Sequence, residues 1–249
     1  MKSSRPEKRF YRSFLKPKGF SFEIVAGESD VWICLPGVMQ VSEGIRGEIR
    51  KTLLNVREEL SYFIEKNPDF YSSLQPIKVS SLLIPDIIRV MLSASEKADV
   101  GPMAGVAGAV NFFIGKRIEN FGFKEFIIEN GGDVYLLSKE ERVFRVYSGV
   151  EEIDRTVALK IPPGRWGVCS SSSKIGHSLS LGNSSVATVI AKDSVVADCM
   201  ATAVANSKTA EEMVELSRRF VSSCAEGIFG VIDGKIVLSG NISPVKLVL

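Results

Sequence analysis

Residues 166–206 read WGVCSSSSKIGHSLSLGNSSVATVIAKDSVVADCMATAVAN, and the class of fold follows from how this stretch divides. Trp166–Cys169 is a short apolar run with a serine run behind it. Val186–Ala191 is unbroken, apolar and β-branched, the pattern of a buried strand. VVADCMATAVAN then starts a helix of small residues around one carboxylate. The stretch also holds the chain's single histidine, His177, and two of its four cysteines, Cys169 and Cys199. Asp198 and Thr202 are four apart, which on a helix stacks them on one face. A carboxylate and a hydroxyl so placed suit a hard cation such as Mg²⁺.

Outward from this stretch, strands and helices alternate without repeats. Downstream, Thr209–Val221 is amphipathic. Ile228–Ile232 and Lys235–Leu238 form a hairpin through Asp233-Gly234, and Val245–Leu249 adds a last strand. Upstream, strands are expected at Val143–Tyr147 and Thr156–Ile161. Phe126–Glu129 and Val134–Leu137 flank Asn130-Gly131-Gly132-Asp133, a plain hairpin turn. ADVGPMAGVAGAVNFFIGK reads as a small-residue helix, and Pro85–Lys97 as the helix before it. Apolar residues recur at helical spacing over 42–65, with Ser42 as cap and Asn67-Pro68 as stop. Ser21–Val25 and Val31–Leu35 pair as an opening hairpin. The sum is one α+β domain over residues 1–249, with helices packed on a mainly antiparallel sheet.

Composition narrows the function classes. Apolar residues make up 45% and charged residues 24%, enough for a sizeable core. A formal charge of +2 gives no global field for nucleic acid. Residues 1–18 form a basic arm, most simply a solvated extension. The start lacks the apolar core of a secretory signal, and Val100–Gly115 is too short and glycine-rich for a membrane span. The expectation is therefore a cytoplasmic protein with no membrane partner. The four cysteines lack CxxC spacing and read as free thiols, and one histidine argues against zinc.

Three segments offer ligand chemistry. Glycines in NGGD let a ligand approach the backbone while Asn130 and Asp133 supply polar groups, although a turn alone explains the motif. Gly101, Gly105 and Gly108 each cost about 1 kcal/mol in a helix relative to alanine. Tight packing and a ligand-facing role balance there. The serine loop offers hydroxyls and N–H groups that suit a phosphate. Cys169 is a candidate nucleophile with His177 as its base, against burial at a strand end.

ADCMATAV together with ENGGDV resembles the ApbE-like superfamily, best known for FAD:protein FMN transferase. The helix pattern A-D-x-x-A-T-A falls on Ala197, Asp198, Ala201, Thr202 and Ala203, and the GGD turn on Gly131, Gly132 and Asp133. The match is closer to a small, functionally unassigned branch. That likeness extends to VGPMAGVAGAV (Val100–Val110), ENGGDVYL (Glu129–Leu136), GVCSSSSKIGHSLS (Gly167–Ser180) and ADCMATAVAN (Ala197–Asn206).

The resemblance implies Mg²⁺ held by Asp198, Thr202 and the Ala107 carbonyl. It implies FAD or FMN bound by Gly101, Pro102, Met103, Asn130, Gly131, Gly132, Asp133, Ser170, Ser171 and Ser178. The catalytic candidates are His177, Asp198 and Cys169. These loops are expected to line one cleft. Two departures stand out: no lysine accompanies Ala107, and no Asp-Pro follows His177. The expected function is binding of a flavin or other diphosphate-containing ligand with Mg²⁺, with transfer or hydrolysis as the chemistry. Two alternatives are an accessory role in sulfur assimilation, with sulfur on Cys169 or Cys199, and a non-catalytic flavin-binding module. The partner is a nucleotide-like small molecule, and a homo-oligomer stays open.

Overall fold

Local signals start and stop most elements. Ser42 is extended, and its hydroxyl accepts the Ile45 N–H at 3.3 Å, so the first helix, α1 (Glu43–Lys66), begins at its cap. Helix α1 buries Ile49, Leu53, Val56, Leu60 and Phe63 on one face. A one-turn α2 (Pro68–Ser72) follows, with Pro68 at its first position. Pro85 stands just outside α3 (Asp86–Ala98), which Asp99 ends in a left-handed conformation. The small-residue segment divides into a 3₁₀ turn, Pro102–Gly105, and α4 (Val106–Asn120). A short α5 (Glu151–Thr156) occupies the residue expected to begin a strand. Helices α6 (Ser194–Ala205) and α7 (Ala210–Ser223) complete the set. The computed structural model describes residues 19–79, 83–173 and 182–246. The basic arm, His177 and Ser178 lie outside them.

The strands are β1 (Gly19–Ala26), β2 (Ser29–Pro36), β3 (Phe126–Asn130), β4 (Asp133–Ser138), β5 (Arg142–Arg145), β6 (Val157–Ile161), β7 (Gly164–Ser171), β8 (Ser184–Ala191), β9 (Ala225–Ile232), β10 (Lys235–Gly240) and β11 (Ser243–Lys246). Eight of them form one sheet in the order β1-β2-β3-β4-β7-β8-β9-β10, and every neighbouring pair is antiparallel. The α+β class with a mainly antiparallel sheet is thus as expected. The three-stranded sheet β11-β6-β5 is an addition that strand-by-strand reading did not foresee.

The layers explain the burial. All the helices except α5 cover one face of the large sheet, where Ile33, Leu53, Met91, Ile114 and Ile128 join one core. Part of the other face carries a second core, in which Leu136, Val168, Val186 and Phe229 meet Leu159 and Ile161 of the small sheet. Strand β8 lies under both layers and is buried at every position. That is why Val186–Ala191 is apolar throughout instead of alternating. Among the described residues no single helix is long and apolar enough to cross a membrane.

Candidate functional site

Helices α4 and α6 cross at the small residues, and their contact creates the site. A Cβ on Gly108 would lie 2.3 Å from the Ser194 carbonyl oxygen and 3.0 Å from the Asp198 Cβ. Glycine therefore lets the two backbones touch. The contact is sealed in both directions. The Gly108 N–H donates to Asp198 Oδ2 at 2.8 Å, and the Ser194 hydroxyl donates to the Gly108 carbonyl at 2.8 Å. The Ala107 N–H also donates to Asp198. Gly105 caps α4 without any side-chain bond. Asp198 thus supplies from another helix the acceptor that the first turn of α4 lacks. The sequence marks Asp198 as a candidate metal ligand; the structure gives it a capping duty as well.

Asp133 faces Asp198 from the sheet. It sits at the start of β4, directly after the Gly131-Gly132 turn, whose φ angles of 71° and 100° favour glycine. One Asp133 oxygen accepts the Ser170 N–H at 3.0 Å. Burial first, and then the negative field of Asp198, hold the Asp133 carboxyl well above the ordinary range. Burial pushes Asp198 up to about 7, against the opposing pull of the Gly108 and Ala107 N–H groups. The pair is two buried carboxyls whose charged forms are costly.

The other anticipated residues distribute themselves around this pair. Cys169 is fully buried beside Asp133, and its thiol lies 3.5 Å from the Ser194 carbonyl. Burial, and then the charge of Asp133, push that thiol well up. A thiol so held is protonated and shielded, the state of a packing group. Thr202 follows Asp198 one turn on and is partly exposed. Asn130 is buried at the end of β3, paired in register with Asp133. Gly101 abuts Ser73, whose carbonyl would lie 1.8 Å from an added Cβ, so its lack of a side chain serves packing. Pro102 is buried and Met103 packs on the main core. Ala107 turns its N–H toward Asp198, while its carbonyl belongs to the helical ladder of α4.

The serine run splits by strand alternation. Cys169 and Ser171 share the helix side of β7, and Ser170 points its side chain to the small-sheet side. Its hydroxyl meets Thr188 Oγ1 at 2.8 Å there. Ser173 donates to the Ala205 carbonyl at 2.6 Å. The structure adds a residue that the sequence did not single out. Asn111 on α4 is fully buried and donates to the Asp133 carbonyl at 3.0 Å, while its own Oδ1 has no partner among the described residues. A polar residue on the buried face of a helix was the available signal.

Thiol reactivity checks this account. Cys224 is exposed, whereas Cys34, Cys169 and Cys199 are buried. Ellman's reagent should titrate Cys224 rapidly in the native protein and the other three only after unfolding. Fast modification of Cys169 would contradict its shielding.

An eight-stranded antiparallel sheet, a GGD turn and a buried carboxylate on a small-residue helix define an ApbE-like α+β protein. The chain belongs to the AbpE_bact family, described as "AbpE bacteria", whose model matches residues 12–226. The UPF0280 protein of Methanocaldococcus jannaschii is 35% identical over 209 residues, covering 80% of this chain and 84% of that protein. A UPF0280 protein of Archaeoglobus fulgidus is 37% identical, covering 77% and 82%. Among solved structures, the apo flavinyl transferase ApbE of Pseudomonas stutzeri superposes with a TM-score of 0.55 at 13% identity, over 88% of this chain and 93% of that one. The flavin transferase ApbE from Vibrio cholerae gives 0.55 at 13% identity, over 88% and 96%. At such identity the likeness is one of fold.

Proposed function

We propose that the protein binds a flavin nucleotide or another diphosphate-containing ligand together with Mg²⁺. The observation that carries this reading is the buried Asp133–Asp198 pair beneath the Gly131-Gly132 turn. Among the described residues no cationic side chain pairs with either carboxyl, and two carboxyls held out of water are what a hard divalent ion stabilises. Among the described residues no three His, Cys, Asp or Glu side chains gather into a metal-binding group. The donor set is accordingly lean, which suits an ion that keeps several waters and takes ligand phosphates. Asp198 is the principal ligand, with Thr202 beside it and Asp133 opposite. When bound, the ion neutralises diphosphate charge and polarises a phosphoryl oxygen.

The chain's own residues do the rest. Gly108 and Ala107 fix the Asp198 carboxylate through their N–H groups. Ser170 fixes Asp133, and Asn111 holds the backbone of the turn while presenting an oxygen that no described residue pairs with. The open space at Gly132, where an added Cβ would meet nothing within 4 Å, leaves room for a ligand at the backbone. Transfer of FMN to a protein threonine is not expected. No lysine accompanies Ala107, and no Asp-Pro follows His177. Loss of one preorganised group at a reacting centre costs roughly 10²–10³ in rate.

The test has two arms. FAD at millimolar concentration with Mg²⁺ should raise the melting temperature. In-gel fluorescence should detect no FMN attached to a flavinylation substrate. Strong labelling would overturn the second statement, and an unmoved melting temperature the first. The sulfur-carrier alternative finds no support in the shielded thiols of Cys169 and Cys199.

A further inference from the structure

Strand β10 closes the order of the large sheet, and among the described residues no strand lies along its outer edge. Ile236 and Leu238 are 50% and 49% exposed there. Their register partners on β9 are Val231 and Phe229, both in the second core. Alternation puts Ile236 and Leu238 on that same face, as the uncovered margin of the second core. Val237 between them is buried in the main core under the helices. The opposite edge, β1, differs. Phe20, Phe22, Ile24 and Ala26 pack on the main core, which leaves Ser21, Glu23 and Val25 for the other face. A charge in the middle of that face guards the β1 edge, and β10 has no such guard.

The backbone of β10 is set for a partner. Asp233 and Gly234, with φ of 49° and 74°, make a two-residue turn between Ile232 and Lys235. The residues flanking such a turn bond each other, so Lys235 and Val237 turn their backbone groups to β9. Ile236 and Leu238 then turn theirs outward. Two such edges fit antiparallel with Val237 opposite Val237 of a second copy. Each Ile236 then faces Leu238 of the other copy, an apolar cross-strand pair with its hydrogen bonds made.

Helix α7 has the same symmetry. It packs on both β9 and β10. Met213 lies over Gly230, the register partner of Val237, and Val221 reaches Gly240. Thus α7 runs alongside β10 in the same direction, with residues 213–214 level with Val237. Its outer flank and the β10 edge form a groove lined by Ala210, Glu211, Val214, Glu215, Arg218 and Lys235. A two-fold axis at Val237 passes by Val214 and sets the two helices antiparallel. At about 1.5 Å per residue, Glu211 and Arg218 stand about 5 Å on either side of the point midway between them, beside Val214. Each Arg218 therefore meets Glu211 of the other copy. Helices seated over β9 and β10 of each copy are two strand spacings apart, about 9.6 Å. Packed helices stand about 8–10 Å apart.

We propose that the β10 edge and the outer flank of α7 form a two-fold interface with a second copy of this chain. The two eight-stranded sheets join into one. Both copies use the same surface, so assembly closes at the dimer. The interface needs neither flavin nor divalent cation and stands apart from the carboxyl pair.

Sedimentation equilibrium of the full chain, in EDTA and without flavin, from micromolar to submillimolar concentration reads the mass. A species of two chains is expected. Ile236→Lys, at a half-exposed position, installs an edge charge and should raise the dissociation constant roughly tenfold or more, because the change enters the interface twice. Arg218→Glu should weaken association by setting acid against acid. Glu211→Arg combined with Arg218→Glu restores opposite charges and should recover it. Both positions are exposed, so these changes spare the fold, and circular dichroism checks that they do. A chain that stays monomeric throughout would overturn the proposal and leave the edge to a strand of another protein. A dimer indifferent to Ile236→Lys or to Arg218→Glu would overturn it as well, by placing the interface elsewhere. So would a charge swap that fails to recover the association lost in Arg218→Glu.

Discussion

Replacing Gly108 by alanine should destabilise the protein by about 3 kcal/mol, whereas the same change at Gly47 should stabilise it. Both glycines are inside helices, where alanine is favoured by about 1 kcal/mol. At Gly47 on the exposed side of α1 an added Cβ meets nothing within 4 Å, so only that gain remains. At Gly108 the Cβ would lie 2.3 Å from the Ser194 carbonyl oxygen and 2.8 Å from its carbon. Those are backbone atoms of α6 and cannot rotate away. The helices must separate, which breaks the Gly108–Asp198 and Ser194–Gly108 hydrogen bonds that join them. Overpacking against side chains costs about 1–3 kcal/mol, and a backbone obstacle belongs at or above the upper end. In a chain of this size each kcal/mol moves the melting temperature by about 2–4 °C. Thermal unfolding of Gly108→Ala should fall by roughly 10 °C on that scale. A melting temperature equal to wild type would mean that α4 and α6 do not meet as described.

Much of the fold was legible because its signals are local. Ser42 and Asn67-Pro68 bound α1, Gly131-Gly132 and Asp233-Gly234 turn hairpins, and Val186–Ala191 is continuous because two layers cover it. The small sheet was not legible. Strand β11 pairs with β6 across more than eighty residues, and nothing in either four- or five-residue run names the other. The site was legible in its residue types and not in its geometry. Asp198 and Asp133 stood out as carboxylates. That Asp198 caps α4 depends on a bond to Gly108 spanning ninety positions. The glycines of the small-residue segment held packing and ligand roles in balance, and their surroundings in the fold are backbone and side chains of neighbouring elements. Gly101 abuts Ser73, Gly105 meets Cys199 and Gly108 meets Ser194. Period-two alternation could have separated Ser170 from Ser171, but only once the strand was known to run to Ser171.

Without divalent cations, stability should fall as pH rises from about 4 to about 7, and Mg²⁺ should restore it at pH 8 but not at pH 5. Asp198 ionises near 3.8 when unfolded and is pushed up to about 7 in the fold by burial. Asp133 moves in the same direction, through burial and the field of Asp198. Between those pH values the folded state holds protons that the unfolded state has released, so stability declines with pH. Below the unfolded value both states are protonated and the penalty is absent. Above the folded value it is complete, at most about 4 kcal/mol for Asp198 alone. A cation between the carboxylates removes that penalty, and it must displace protons to bind. Melting temperature measured across this range, with EDTA and with Mg²⁺, reads both effects. Asp198→Asn keeps an acceptor for the Gly108 N–H and loses the charge. It should make the pH dependence shallower, leaving the share due to the burial of Asp133, and abolish the Mg²⁺ response. Asp198→Ala removes the cap as well and should cost a further 1 kcal/mol or so. Thr202→Val should weaken the Mg²⁺ response while leaving the slope in EDTA intact, because Thr202 carries no titrating group. If stability instead climbed from pH 4 to 8 in EDTA, burial would not be what governs the two carboxyls. An equal Mg²⁺ effect at pH 5 and pH 8 would place the cation away from Asp133 and Asp198.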